Sequence, residues 1–165
     1  MRALVVAASK YGSTTEIAEA IVGVLDDRGI DTAMRAPDDV DTLEGFDAVV
    51  LGSAVYAGHW LKPATEIVER LAQELSDRPV WLFSSGPIGD PPKPQEDPVD
   101  VAKITDTIAA REHRVFAGKL VRKQLSFAEK AITVALRAPE GDFRDWDAVR
   151  SWASQIADAL DAQRA

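Results

Sequence analysis

Residues 1–29 read MRALVVAASKYGSTTEIAEAIVGVLDDRG, and the order of patterns inside them decides the fold. Ala3 to Ala8 is an unbroken apolar run ending in small residues, the composition of a central parallel strand covered on both faces. Ile17, Ala18, Ile21, Val22, Val24 and Leu25 then recur at helical spacing, and Gly29 marks the helix end. Between the two lies Ser9 to Thr15, SKYGSTT, a strand-to-helix turn rich in hydroxyls with one glycine. A helix N-terminus carries unpaired N–H groups and the positive end of the macrodipole, so this turn is a candidate anion cradle. An ordinary turn with an N-cap Ser or Thr is the alternative.

The turn is neither GxxxxGK[ST] nor GxGxxG, which argues against a nucleoside triphosphate and against a dinucleotide. The chain has no cysteine, so thiol nucleophiles, disulfides and Cys-based zinc sites are excluded. His59 and His113 form no HExxH, and no metal is expected. What remains is a loop that binds a phosphate and leaves it unreacted, with any redox chemistry supplied by a bound cofactor. A formal charge of -8 argues against nucleic-acid binding. No apolar run reaches the roughly 18 residues of a membrane span, and Ala3 to Ala8 is too short for a signal-peptide core, so a cytoplasmic protein is expected. A length of 165 residues suits one domain over 1–165.

Downstream, Asp31 to Ala36 reads as a short strand and Asp38 to Glu44 as a brief helical turn. Phe46 to Ser53 is a third strand, Leu61 to Leu75 a helix, Pro79 to Ser85 a fourth strand and Val99 to Ala110 a helix. His113 to Phe116 begins a fifth strand, and Asp145 to Leu160 is a closing helix with Trp152, Ile156 and Leu160 on one stripe. Five alternations of strand and helix predict an α/β parallel sheet with helices on both faces. Gly86 to Pro98, with five prolines, reads as a stiffened, ordered loop. In such sheets ligands bind beyond the carboxyl ends of the strands, which singles out the loops after strands one, three and four. A phosphoacceptor receiver domain shares the topology, but Ser53 and the pair Ala7, Ala8 stand where its acidic residues belong.

VVAASKYGSTTEIAEAI resembles the phosphate-binding signature of the flavodoxin family, although Ala7 stands where an aromatic is usual. The resemblance implies a three-layer sandwich, a five-stranded parallel sheet of order 2-1-3-4-5, and flavin mononucleotide (FMN) as cofactor. Carried over, Ser9 and Thr14 supply hydroxyls to the phosphate, Lys10, Tyr11, Gly12, Ser13 and Thr14 supply N–H groups, and Gly12 lets the backbone approach. The isoalloxazine then lies between a second loop, Ala54, Val55, Tyr56, Ala57 and Gly58, and a third, Ser84, Ser85, Gly86, Pro87, Ile88 and Gly89. Donors from Tyr56 to Gly58 and Ser85 to Gly89 are expected at its polar edge, with Tyr56 and Trp60 as stacking aromatics. Trp60 has packing under the following helix as its alternative. His59 is a candidate for proton transfer, against a plain structural role. No other catalytic residue is expected, because the flavin carries the chemistry.

The third loop, SSGPIGDPPKPQEDPV, contains no aromatic, so one ring face is left to a second planar molecule or to Ile88. AVYAGHW, HRVFAGKL and GDFRDWDAV resemble the flavodoxin-type, menaquinone-dependent protoporphyrinogen oxidases, with a shorter stretch between Leu120 and Gly141. That resemblance implies an oxidoreductase acting on a quinone or porphyrinogen. An electron carrier docking on redox proteins through acidic surface is the alternative, and a scaffold that has lost its cofactor is a third. Residues 111–137 hold seven Lys or Arg against Glu112 and Glu129, with Leu125, Ala128, Ile132, Ala135 and Leu136 on one helical face. This segment reads as a helix packed on the sheet edge, favoured by its alanine-rich face, or as a contact with an anionic membrane or a carboxylate-bearing substrate.

Overall fold

The computed structural model describes residues 1–89, 93, 94 and 96–164. Asp90, Pro91, Pro92 and Gln95, within the loop expected to be stiffened and ordered, lie outside the described residues, as does Ala165. In chain order the elements are β1 (Arg2–Ala8), α1 (Ser13–Asp27), β2 (Asp31–Arg35), β3 (Ala48–Tyr56), β4 (His59–Trp60), α2 (Lys62–Arg70), α3 (Ala72–Ser76) and β5 (Val80–Ser85). There follow α4 (Val101–Ile108), β6 (Glu112–Phe116), β7 (Lys119–Leu120), α5 (Phe127–Ala135), β8 (Gly141–Asp142) and α6 (Trp146–Arg164). Five strands run parallel in the order β2-β1-β3-β5-β6, the predicted 2-1-3-4-5.

Alternation along β1 builds the two faces. Ala3, Val5 and Ala7 join Ile17, Ile21 and Leu25 of α1 and Trp152, Ile156 and Leu160 of α6 in one core. Leu4, Val6 and Ala8 join Ile67, Leu75, Ile104 and Ile108 from α2, α3 and α4 in the other. Phe83 and Phe116 each meet Trp152 edge to face, at centroid distances of 6.2 and 5.5 Å, tying β5 and β6 to the closing helix.

Several expectations change. The second loop is a hairpin: β4 pairs antiparallel with the end of β3, and the turn residues Ala57 and Gly58 both have positive φ, 50° and 78°. That pair of dihedrals is what a two-residue hairpin of primed type requires. The helix expected over 61–75 breaks at the buried Leu71, whose φ is -116°. Leu71 keeps both hydrogen bonds, N–H to Ile67 and carbonyl from Leu75, so the bend leaves the backbone satisfied. The helical turn expected over 38–44 is one 3-10 turn, Pro37–Asp39.

The basic segment is not packed on the sheet edge. No residue of α5 is buried, and Phe127, Ile132 and Val134 are exposed while the polar Glu129 and Thr133 are its half-buried side chains. Its inner side meets Lys10 and Tyr11 of the turn between β1 and α1 and a cavity rather than an apolar sheet, so polar groups turn inward.

Candidate functional site

The SKYGSTT turn ends in Gly12, which caps α1 at φ 88°, a left-handed conformation that disfavours any side chain. A Cβ at Gly12 would meet no protein atom within 4 Å, so the positive φ of the turn, not crowding by the chain, is what favours glycine here. No hydroxyl caps the helix in the ordinary way: the Gly12 N–H donates to Ser9 Oγ over 3.0 Å, and the first intrahelical bond runs from Glu16 N–H to the Gly12 carbonyl. Among the described residues the N–H groups of Ser13, Thr14 and Thr15 meet no acceptor. The Ser13 hydroxyl oxygen is buried without a hydrogen-bond partner. A buried polar atom in that condition costs about 1–3 kcal/mol unless something satisfies it. These groups open into a cavity of about 960 Å³, near the upper end of small-molecule pockets.

The cavity's walls come from all three expected loops. Ser9, Lys10, Tyr11, Ser13 and Thr14 line it from the first, Ala54, Val55, Tyr56 and Ala57 from the second, and Ser85, Gly86, Ile88 and Gly89 from the third. Gly12, Gly58, Ser84 and Pro87 do not line it. Tyr56 is the exposed aromatic of the site, whereas Trp60 is buried in the core under α2. Packing, not stacking, is therefore the role of Trp60. His59 lies off the cavity, its Nδ1 3.2 Å from the Asp100 carboxylate, which also accepts from the Trp60 N–H at 3.0 Å.

Backbone donors are fewer than expected on the third loop. Gly86 N–H donates to the Phe116 carbonyl, Ile88 and Lys93 exchange both of their hydrogen bonds at 3.0 and 2.9 Å, and Pro87 has no N–H. On the second loop Ala57 and Gly58 N–H groups meet no backbone acceptor among the described residues. Ser84 Oγ is enclosed: Trp60 Nε1–H donates to it over 2.8 Å, and His113 Nε2 lies 2.7 Å away. Ser84 Oγ and His113 Nε2 share one hydrogen bond, whose direction follows the imidazole tautomer. Burial lowers the His113 pKa below its ordinary value, against a weaker pull from Asp97.

A fourth wall went unread in the sequence. Leu120, Val121, Gln124, Leu125, Thr133, Leu136 and Arg137 close the cavity from the segment between β7 and β8. Two contacts fasten that segment to the phosphate loop. Glu129 accepts from the Tyr11 hydroxyl at 2.5 Å and lies 3.1 Å from Lys10 Nζ, while Lys10 sits 5.6 Å from the Tyr56 ring. The bond from Tyr11 holds the Glu129 carboxyl at about 2, and Glu129 in turn raises the pKa values of Tyr11 and Lys10. At the other end the Arg144 guanidinium, 3% exposed, pairs with both Asp142 oxygens, donates to the Ser13 carbonyl at 3.3 Å and reaches Glu16. It also lies 4.6 Å over the Trp146 ring, and Asp145 accepts from Ala148 N–H at the start of α6, so each residue of RDW has a task.

The signal for Glu129 was the spacing Ser126-x-x-Glu129, a capping box that the structure forms in full. Nothing in the sequence places Arg144 beside Ser13, since they are joined only by tertiary packing. Among the described residues no cluster of metal-ligating side chains occurs.

A doubly wound sheet with unpaired N–H groups on its first strand-to-helix turn and two further loops at the same edge defines a flavodoxin-type protein. The profile of the flavodoxin domain family matches residues 4–147, and the chain belongs to that family. Among solved structures, a flavodoxin from Archaea superposes with a TM-score of 0.67 at 19% identity, covering 98% of this chain and 99% of that one. The Streptococcus pneumonia TIGR4 flavodoxin gives 0.65 at 19% identity, with 99% of each chain covered. The rubredoxin:oxygen oxidoreductase of Desulfovibrio gigas gives 0.69 at 15% identity over 99% of this chain, which spans 37% of that longer one. At these identities the likeness is one of fold. Comparison with curated proteins gave no significant match.

Proposed function

We propose that residues 1–165 form one cytoplasmic FMN-binding domain and that it works as a flavin-dependent oxidoreductase on a quinone or porphyrinogen-like substrate. The observation that carries the cofactor is the buried, partnerless Ser13 hydroxyl beside three unpaired N–H groups at the start of α1. An FMN phosphate satisfies all of them at once, with Ser9 and Thr14 as further hydroxyl donors. Tyr56 would cover one ring face, and the Ala57 and Gly58 N–H groups would meet the polar edge. FMN bound there supplies one- and two-electron redox chemistry.

An enzyme is favoured over a carrier by the cavity's extent. It runs beyond the three loops to Leu120, Leu125 and Leu136, giving room and an apolar wall for a second planar molecule beside the ring. Lys93, Lys119 and Arg137 on its rim suit the acid groups of a porphyrinogen. The resemblance of AVYAGHW, VFAGKL and RDW to menaquinone-dependent protoporphyrinogen oxidases supports the same substrate pair. The competing reading, a carrier that passes electrons to redox proteins as flavodoxins typically do, draws on the acidic remainder of the surface.

The first test is the visible spectrum of the purified protein. A colourless preparation that also takes up no added FMN overturns both flavin readings. Flavin-loaded protein is then assayed with protoporphyrinogen and menaquinone analogues, where turnover is expected. Turnover confined to protein electron acceptors assigns the carrier role instead.

A further inference from the structure

We propose, resting on FMN as the cofactor, that Gly118 is a positioning residue for the flavin ring, the seat that fixes the third loop, Ser85 to Gly89, at the cavity. A Cβ at Gly118 would lie 3.0 Å from Gly86 Cα and 3.3 Å from Gly86 C and N. These are backbone atoms, which no change of rotamer moves aside. Neither glycine has the positive φ found at Gly12, Gly58 and Gly89, so both serve for room and not for conformation.

Gly86 is crowded in turn by the end of β3. A Cβ there would lie 3.3 Å from Val55 Cβ and 3.4 Å from the Val55 carbonyl oxygen. The ends of β3 and β5 and the start of the excursion thus pack through the missing side chains of two glycines. Hydrogen bonds hold them so. Gly86 N–H donates to the Phe116 carbonyl at 3.2 Å, Gly118 N–H to the Pro87 carbonyl at 2.7 Å, and Phe143 N–H to the Gly118 carbonyl at 3.0 Å. Gly118 is buried, lines the cavity and directly precedes β7, so the third loop and the far wall share one support.

The third loop meets a bound ring by shape. Its amides at Gly86 and Ile88 are engaged within the chain and Pro87 has none, while Ser85, Gly86, Ile88 and Gly89 line the cavity. Contacts of this kind fall off steeply with distance, and a gap of about 0.5 Å already forfeits about a quarter of each. Gly118→Ala forces Gly86 away by a few tenths of an ångström, and the loop carries that displacement to the ring. No residue of the turn between β1 and α1 takes part in these contacts, so the phosphate end of the site is left as it was.

The test is titration of the full chain with FMN and with riboflavin, followed by flavin fluorescence. Gly118→Ala is expected to weaken both flavins by the same factor, about tenfold, and to shift the visible bands and the midpoint potential of the bound flavin. A loss confined to FMN puts the effect at the phosphate and overturns the proposal. Unchanged affinity, spectrum and potential, with or without a lower urea midpoint, leave Gly118 a packing residue and overturn it too. A second measurement needs no variant: in the native chain riboflavin should slow amide exchange at Gly86 and Gly118, whereas inorganic phosphate alone should not. Exchange there that ignores riboflavin overturns the seat while FMN remains the cofactor. A native chain that binds neither flavin overturns the cofactor itself, and the seat with it.

Discussion

The Tyr11 hydroxyl donates to the Glu129 carboxylate over 2.5 Å, joining the phosphate loop to a helix 118 residues further along the chain. Lys10 completes the contact at 3.1 Å. Through this one carboxylate the outer wall of the cavity is fastened to the turn between β1 and α1.

Replacing Glu129 by Gln should release the wall without unfolding the sheet. Amide exchange across residues 127–135 is expected to accelerate several-fold while that of β1 and β3 is unchanged; uniform protection in the variant would contradict the fastening. The native contact should also respond to acid. A carboxyl lowered from 4.5 to about 2 binds its proton less readily in the folded state, so its stabilisation is complete above 4.5 and is lost as the pH falls towards 2.

Ser13→Ala removes the hydroxyl whose oxygen is buried and partnerless. FMN affinity should drop about 10- to 100-fold, the worth of one hydrogen bond to a charged group. Riboflavin, which has no phosphate, should bind the variant as it binds the native chain. Equal losses for both ligands in a titration of flavin fluorescence would contradict a phosphate at α1.

Arg144→Ala strips Asp142 and the Ser13 carbonyl of a buried partner. Loss of one partner of a fully buried pair is a matter of ~3–5 kcal/mol, and Asp142 and Glu16 are half exposed, so about 1–3 kcal/mol is expected in chemical denaturation. FMN affinity should fall with it, because Ser13 loses its support. Arg144→Lys restores charge without the two-pronged geometry and should recover only part of either quantity.

His113 sets a second pH dependence, at the neutral end. Its folded pKa lies below the ordinary 6.5, so the unfolded chain takes up the proton first and stability declines as the pH drops below 6.5. In the protonated ring Nε2 can only donate to Ser84 Oγ. Urea midpoints measured from pH 8 to about 5 should fall for the native chain and less steeply for His113→Gln.

What could be read from residues alone followed the range of the interactions involved. The run Ala3 to Ala8 and the spacing from Ile17 to Leu25 are local patterns, and they placed β1, α1 and the loop between them. The hairpin at Ala57 and Gly58 escaped because alanine is a poor marker of a positive φ. The amphipathic pattern of α5 identified a face but not its direction, since direction depends on what lies beneath, here Tyr11 and a cavity instead of a sheet. Ser84 read as a ligand contact because a serine at the end of a strand resembles its neighbour Ser85. Only the pairing of β5 with β6 reveals its partner: His113 is in register with Leu82 and reaches Ser84 diagonally.

The short antiparallel pair of β7 and β8 joins Lys119 to Asp142 and Leu120 to Gly141, so the excursion that walls the cavity leaves and returns at a single base. A segment closed at its base in this way can be lengthened, shortened or exchanged with little disturbance to the parallel sheet, because loop length adds only slowly to the entropy of closure. The fold thus separates two parts of the cavity wall. The turn of unpaired N–H groups sits on a strand and a helix of the parallel sheet, while the far side is formed by an excursion of about two dozen residues. Exchanging that excursion between related domains should alter the far wall of the cavity while leaving β1, α1 and the turn between them in place.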